Sequence, residues 1–373
     1  MSRLLHIADV HLDAPFGGFG REAEMRRREV LDAFRGLPEL AREREVAAVL
    51  IAGDLFDGPR PSEASVIAVR ETARRFMEAE IALFAVPGNH DAIALAPTLY
   101  EDALAGATVF TLPRFGAPVT IHDADPPLHV YGVAYDAAEE PDPLATFRRS
   151  DEPGHHVVLL HGAVPGAPHW GAGSALRLPI ERLTALGADY VALGDHHRHR
   201  PPSEFEAGLA ACYAGSFAAV DLTEFGPRGA VVVELGAGAP PPVELVSVGA
   251  REVVHVAPFD VTPFGSETEV ADAIGARLPG AVFPVVTLEG EPGFPLDAEG
   301  VRRRLEERFG CTAVHDRTRF FDPARLEEIA RENTVAGHVA RLGLASVEDA
   351  ATEDARRAVE QGLRIALRVL EVV

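Results

Sequence analysis

Short apolar runs alternate with amphipathic helical stretches through the first half of the sequence, and this alternation limits the possible folds more than any other feature. LLHIAD, AAVLIAG and ALFAVPG read as strands. Between them, residues 22–44, rich in Arg and Glu, and residues 62–79 carry helical periodicity. Strands that are largely apolar on both faces and separated by helices belong to a sheet covered on both sides. TVFTL, PLHVYGVAY, HHVVLLHG, ADYVALG and GAVVVELG continue the strand pattern with looser connections. The expectation is an α/β fold of two packed mixed β-sheets flanked by helices.

A chain of 373 residues is long for one core, so additions to a large domain are expected. The Gly/Pro-rich segment GAGAPPP at 236–242 is the best boundary, which gives a first domain over residues 1–240. Residues 250–321 follow a β-α-β-α-β pattern, a small second domain. Residues 322–373 read as a C-terminal helical segment. There Asp322 and Pro323 form an N-cap and N1 pair, Gly343 closes one helix, and Ser346 opens another. Val359, Leu363, Ala366, Leu367, Leu370 and Val373 fall on one helical stripe that must be covered.

No apolar run approaches the ~18–20 residues that span a bilayer. His6, Asp9 and His11 interrupt the one apolar stretch at the N-terminus, so it lacks the apolar core of a secretory leader. Two cysteines are too few for a disulfide framework. A cytoplasmic enzyme with no membrane contact is expected. The net charge of −22 argues against broad phosphate-backbone binding, which needs a basic surface. All 35 basic residues are arginines, which reads as a composition bias. Divalent cations would offset negative charge at a site but not over the whole surface.

Five segments carry metal-ligand residue types, each just after a predicted strand: Asp9-Val10-His11, Gly53-Asp54-Leu55-Phe56-Asp57, Gly88-Asn89-His90-Asp91, His161-Gly162 and Gly194-Asp195-His196-His197-Arg198-His199. Taken singly, Asp-x-His is a turn or cap and Gly-Asn-His-Asp a tight turn. Five in succession at strand ends, where α/β sheets gather ligands, point to one site. Carboxylate, amide and imidazole donors without thiolates suit Mn²⁺, with Fe or Zn²⁺ as alternatives.

This order of motifs resembles the calcineurin-like metallophosphoesterases, over residues 1 to about 235. The resemblance implies their four-layer sandwich of two sheets between helices, and two divalent metal ions. Asp9, His11, Asp54 and His197 would hold one metal; Asp54, Asn89, His161 and Asp195 the other. A carboxylate has two oxygens to share, so Asp54 suits the bridge. Cations about 3.5–4 Å apart can acidify a water and clamp phosphoryl oxygens. His90 would act on the phosphate or protonate the leaving oxygen, with Asp57 orienting it. The family has Gly-His-x-His where this chain has Gly194-Asp195-His196-His197. Either Asp195 and His197 are the pair, leaving His196 and His199 facing solvent or substrate, or the site slips to His197 and His199.

The opening RLLHIADVHLDAPFGG, VLIAGDLFD, and Tyr213-Ala214-Gly215-Ser216 with Arg228-Gly229 are similar to the SbcD- and YhaO-type bacterial DNA-repair exonuclease subunits. That branch implies DNA as substrate, a capping role for residues 250–321, and docking of the C-terminal helices on an SbcC-like coiled-coil ATPase. The alternatives are a stand-alone phosphodiesterase or phosphatase for nucleotides or other small esters, and a scaffold with a degenerate site. For the helices the alternative is packing on the chain's own second domain.

Overall fold

The computed structural model describes residues 2–135, 142–166, 176–206, 208–294, 296–318 and 323–370. The chain forms two compact units, Met1–Glu252 and Val253–Val373. In the first, β1 (Ser2–Ile7), α1 (Ala23–Glu43), β2 (Ala48–Ala52), α2 (Glu63–Glu78), β3 (Ala82–Val86), α3 (Leu99–Ala103) and β4 (Thr108–Val109) open the chain. β5 (Val119–Ile121), β6 (Leu128–Gly132), β7 (His155–His161), α4 (Ile180–Thr184), β8 (Tyr190–Gly194), β9 (Ala211–Tyr213), β10 (Ala230–Leu235) and β11 (Val243–Val246) follow. The helix predicted over 62–79 is capped at its first residue, where the Ser62 hydroxyl accepts from the Ser65 N–H at 3.2 Å.

One sheet has the order β11-β10-β1-β2-β3-β4 and the other β5-β6-β7-β8-β9. β1 to β4 run parallel, as do β6 to β9, while β10, β11 and β5 pair antiparallel. Both sheets are therefore mixed, as expected. Because side chains alternate along a strand, each sheet fills two layers. Leu4, Leu50 and Phe84 meet Val130, Val157, Leu159 and Ala192 between the sheets. The intervening Val158, Leu160, Val191 and Leu193 face outward, under Phe147, Leu178, Ile180 and Leu183.

GAGAPPP turns β10 back into antiparallel β11 within the same sheet, so the boundary expected near residue 240 falls inside a hairpin. Its Gly and Pro residues serve the reversal, and the first unit continues to Glu252.

The second unit carries β12 (Glu252–Asp260), α5 (Glu267–Gly275), β13 (Val282–Glu289), α6 (Ala298–Phe309) and β14 (Ala313–Asp316), with the sheet order β12-β13-β14. Phe259, Val270, Ile274, Val286, Leu288, Val301 and Leu305 form its core. Three helices follow: α7 (Pro323–Arg331), α8 (Val335–Glu348) and α9 (Glu353–Val369). The first break comes at Thr334, whose hydroxyl caps α8 by accepting from the Gly337 N–H at 3.0 Å. Gly343 and Ser346 lie inside α8 and neither stops nor starts a helix. Gly343 is a packing seat instead, since a Cβ there would collide with Leu363. Asp322 and Val373 lie outside the described residues. Leu363 and Leu367 of the stripe pack with Leu326, Ile329, Ala336 and Ala340, so α7 and α8 cover them. Among the described residues no helix is long and apolar enough to cross a membrane.

Candidate metal centre

Parallel strands deliver their carboxyl ends to one edge, and the five segments gather there. The loop after β1 brings Asp9 and His11, that after β2 Asp54 and Asp57, and that after β3 Asn89 and His90. β7 ends on His161, and the loop after β8 brings Asp195 and His197. The first two loops are laced together, with the Asp9 and His11 N–H groups donating to the carbonyls of Gly53 and Asp54, each at 3.1 Å. This crossing holds Asp9, His11 and Asp54 at φ of 48°, 49° and 49°, and Asp195 sits at 100°. Left-handed backbone at non-glycine residues costs about 1–3 kcal/mol each and gathers at functional sites. At Gly53, φ is 86° and a Cβ would run into the His161 imidazole, so this position requires glycine.

The hydrogen bonds fix the imidazole tautomers. His11 Nδ1 lies 3.0 Å from Asp57 Oδ1, and His197 Nδ1 lies 2.7 Å from Glu224 Oε1. A carboxylate only accepts, so each Nδ1 carries a proton, and in the neutral ring each Nε2 presents a lone pair. Those two Nε2 atoms are 3.0 Å apart, and Asp9 lies within reach of both. Asp9 Oδ2 is buried and accepts no hydrogen bond among the described residues. Acceptors thus converge without a donor, an arrangement that a cation satisfies.

A second focus repeats the pattern. His161 Nδ1–H donates to the Ala52 carbonyl at 2.8 Å. Its Nε2 then faces Asn89 Oδ1 at 3.0 Å, Asp54 Oδ2 at 3.4 Å and Asp195 Oδ1 at 4.0 Å. The same Asp54 Oδ2 is 3.8 Å from His11 Nε2, so it stands between the two foci. Burial alone would lower His161, but Asp54, with Asp9 and Asp195, pushes it up to about 10. Burial alone would raise Asp54, yet His161 and His11 hold it well below the carboxylate range. Burial raises Asp9. A proton on His161 and a cation at this focus answer the same negative field.

His90 lies beside this pair, its side chain 43% exposed and its ring edge-on to His11 at 4.8 Å. Its Nδ1–H donates to the Asp57 backbone carbonyl at 3.0 Å. The Asp57 carboxylate is closer to His11 Nδ1, at 3.0 Å, than to His90 Nδ1, at 3.8 Å. The residue expected to orient His90 therefore does so through its main chain, while its side chain orients His11. Asp195 is buried, and its N–H donates to Asp9 Oδ1 at 2.9 Å. His199 Nδ1–H donates to the Tyr213 carbonyl at 3.0 Å, and the His196 ring meets the Tyr213 ring edge-on at 5.3 Å. Both are half-buried rather than solvent-facing, because Tyr213 underlies the loop.

The sequence reading missed three supporting groups. Asp91 accepts from the N–H groups of Phe56 and Gly88 at 3.0 and 2.9 Å, and from the Tyr100 hydroxyl at 2.7 Å. It thereby ties the loops after β2 and β3 together. Burial and the charge of Asp54 raise it to about 6. Its place next to His90 in the motif could have signalled this role. Glu224, in DLTEFGPRG, carries no comparable signal, and Arg228 showed only in the resemblance of Arg228-Gly229, with no role attached.

A family model described as "Calcineurin-like phosphoesterase" matches residues 2–199. "Uncharacterized metallophosphoesterase YhaO" of Bacillus subtilis is 27% identical over 239 residues, covering 63% of this chain and 57% of its own length. "DNA double-strand break repair protein Mre11" of Halobacterium salinarum is 26% identical over 332 residues, 86% of this chain and 79% of that protein. The protein of that name from Aeropyrum pernix is 29% identical over 270 residues, 67% of this chain and 62% of that one. The chain thus spans less than two thirds of YhaO and of the Aeropyrum protein, and more of the Halobacterium one.

Proposed function

The chain belongs to the calcineurin-like phosphoesterase family, and from that premise we propose that it is a two-metal phosphodiesterase that cleaves DNA in repair. The observation that carries the two-metal reading is the convergence of acceptors at two foci that share Asp54 Oδ2. Asp9, His11, Asp54 and His197 would hold one cation, and Asp54, Asn89, His161 and Asp195 the other. Oxygen and imidazole donors suit Mn²⁺. Bound there, two divalent cations would supply the charge that acidifies a water and neutralises phosphoryl oxygens.

His90, with Nδ1–H committed to the Asp57 carbonyl, keeps Nε2 to pass a proton to the leaving oxygen. The burial of Asp195 beside His161 supports the Asp195 and His197 register, and among the described residues it is His197, not His199, that stands with Asp9 and His11. DNA as substrate is supported by the printed names of the Mre11 relatives. A second reading, hydrolysis of small phosphoesters, is favoured by the net charge of −22. Cys212 and Cys311 are buried thiols, which fit a reducing compartment such as the cytoplasm. Docking on a coiled-coil ATPase rests on what α9 leaves uncovered, Ile365 and Val369.

Metal-free protein resupplied with Mn²⁺ and offered a labelled DNA duplex and bis-p-nitrophenyl phosphate separates the readings. Cleavage of the duplex, blocked by EDTA, is expected. An intact duplex beside a hydrolysed small ester would move the assignment to the second reading, and no turnover of either would end both.

A further inference from the structure

The side of His197 away from the first focus is held by a relay that lies outside the five ligand segments. Glu224 Oε1 accepts from His197 Nδ1–H at 2.7 Å. Its other oxygen, Oε2, accepts from the Val220 N–H at 3.0 Å and lies 3.2 Å from Arg228 Nη2. Arg228 Nη1 also donates to the His197 carbonyl at 2.7 Å and to the Ser216 hydroxyl. The Arg228 side chain is almost wholly buried, which makes this clamp a fixed part of the fold. One guanidinium therefore positions both the carboxylate and the backbone of the imidazole that it holds.

From this geometry we infer that Glu224 is a positioning residue that sets the tautomer of His197, and that Arg228 and the Val220 N–H decide which Glu224 oxygen faces the ring. The inference rests on the reading of His197 as a metal ligand. Imidazole binds a cation through a nitrogen without a proton, so proton placement on Nδ1 makes Nε2 the donor atom. The carboxylate is essential because both sides of it must accept. A carboxamide in its place has one accepting and one donating end. Two donors, the Val220 N–H and Arg228, would claim the amide oxygen, and the NH₂ group would turn toward His197 Nδ1. That ring nitrogen must then accept, and the proton moves to Nε2, where the cation would bind.

The isosteric Glu224→Gln should therefore damage the first focus more than Glu224→Ala, which leaves the ring free to choose. Loss of such an outer partner costs about 10–100-fold in metal affinity. Glu224→Ala should fall in that range, and Glu224→Gln should lose more, binding one Mn²⁺ tightly where the wild type binds two. A purely structural role would rank the variants the other way, because the larger and polar Gln keeps more of the packing.

Mn²⁺ binding to the full chain, followed by the EPR signal of the free ion, gives the stoichiometries. Long-range ¹H–¹⁵N spectra of ¹⁵N-histidine protein without metal give the tautomer, with His197 assigned by its loss in His197→Asn. The wild type should show Nδ1–H at His197 and Glu224→Gln should show Nε2–H. Wild-type Nε2–H, or a Glu224→Gln protein that binds Mn²⁺ as well as Glu224→Ala or the wild type, overturns the inference. If the wild type takes up no Mn²⁺, the two-metal reading fails, and the wild-type tautomer still decides the role of Glu224. That last measurement needs no variant to fold.

Discussion

Residue types at strand ends were enough to find most of the candidate site, because carboxylate, amide and imidazole donors suit such cations and parallel strands end at one edge. Asp9, His11, Asp54, Asn89, His161, Asp195 and His197 all come together at two foci. What the sequence hid is the set of partners that aim them. Glu224 is 27 residues from His197 and joins it only through the fold. Asp57 does lie beside His90, but its carboxylate is closer to His11, a preference set by loop geometry that spacing does not encode. Metal analysis of three variants tests the register. Asp195→Ala and His197→Ala should each reduce bound Mn²⁺, and His199→Ala should leave stoichiometry intact. Loss at His199 with retention at Asp195 would mean that the slipped register is the real one. His90→Ala should keep both metals yet turn over about 10²–10⁴-fold more slowly, the usual worth of a general acid or base. A near-normal rate would remove His90 from the chemistry. A further residue, His6, gives a pH test away from the ligands. Burial, and then the charge of His199, lowers its pKa from 6.5 to about 3. As pH falls through 6.5 the unfolded chain binds a proton there and the folded chain does not until about 3. The native state therefore loses stability over that window, by up to ~1.4 kcal/mol per pH unit. The urea midpoint of the wild type should drop more between pH 7 and pH 5 than that of His6→Gln; parallel drops would contradict the assignment.

At the scale of elements, strand and helix identity followed from periodicity, and the misreadings concern glycine and proline. GAGAPPP reads as a linker because Gly and Pro break regular structure, yet the same residues build the turn of a hairpin. Gly343 reads as a helix stop, but its bare Cα is where Leu363 of α9 rests on α8. Only a tertiary neighbour distinguishes those uses. The C-terminal stripe was legible as a buried face, and its cover proves to be α7 and α8. Leu367, fully buried there, is the sharpest probe. Leu367→Ala should cost about 2–5 kcal/mol of local stability, read as faster amide exchange in α7, α8 and α9. The exposed Ile365 and Val369 should each change exchange little when cut to Ala. Equal protection in Leu367→Ala and the wild type would show that the three-helix cluster does not hold α9.

For the molecule as a whole, the two-sheet architecture was legible because alternate residues of β7 and β8 are apolar on both faces, which requires cover on both. Charge was less informative. A chain at −22 still concentrates Asp9, Asp54 and Asp195 at one edge, where opposite charge must be supplied locally. The account stands or falls on whether that charge is a pair of cations shared through Asp54. Hydrolysis of bis-p-nitrophenyl phosphate by metal-free protein, titrated with Mn²⁺, tests this directly. The wild type should be inactive without metal and reach full rate only as the second equivalent binds, while Asp54→Ala should stay inactive throughout. Turnover in the presence of EDTA, or an Asp54→Ala protein that responds to Mn²⁺ like the wild type, would contradict it.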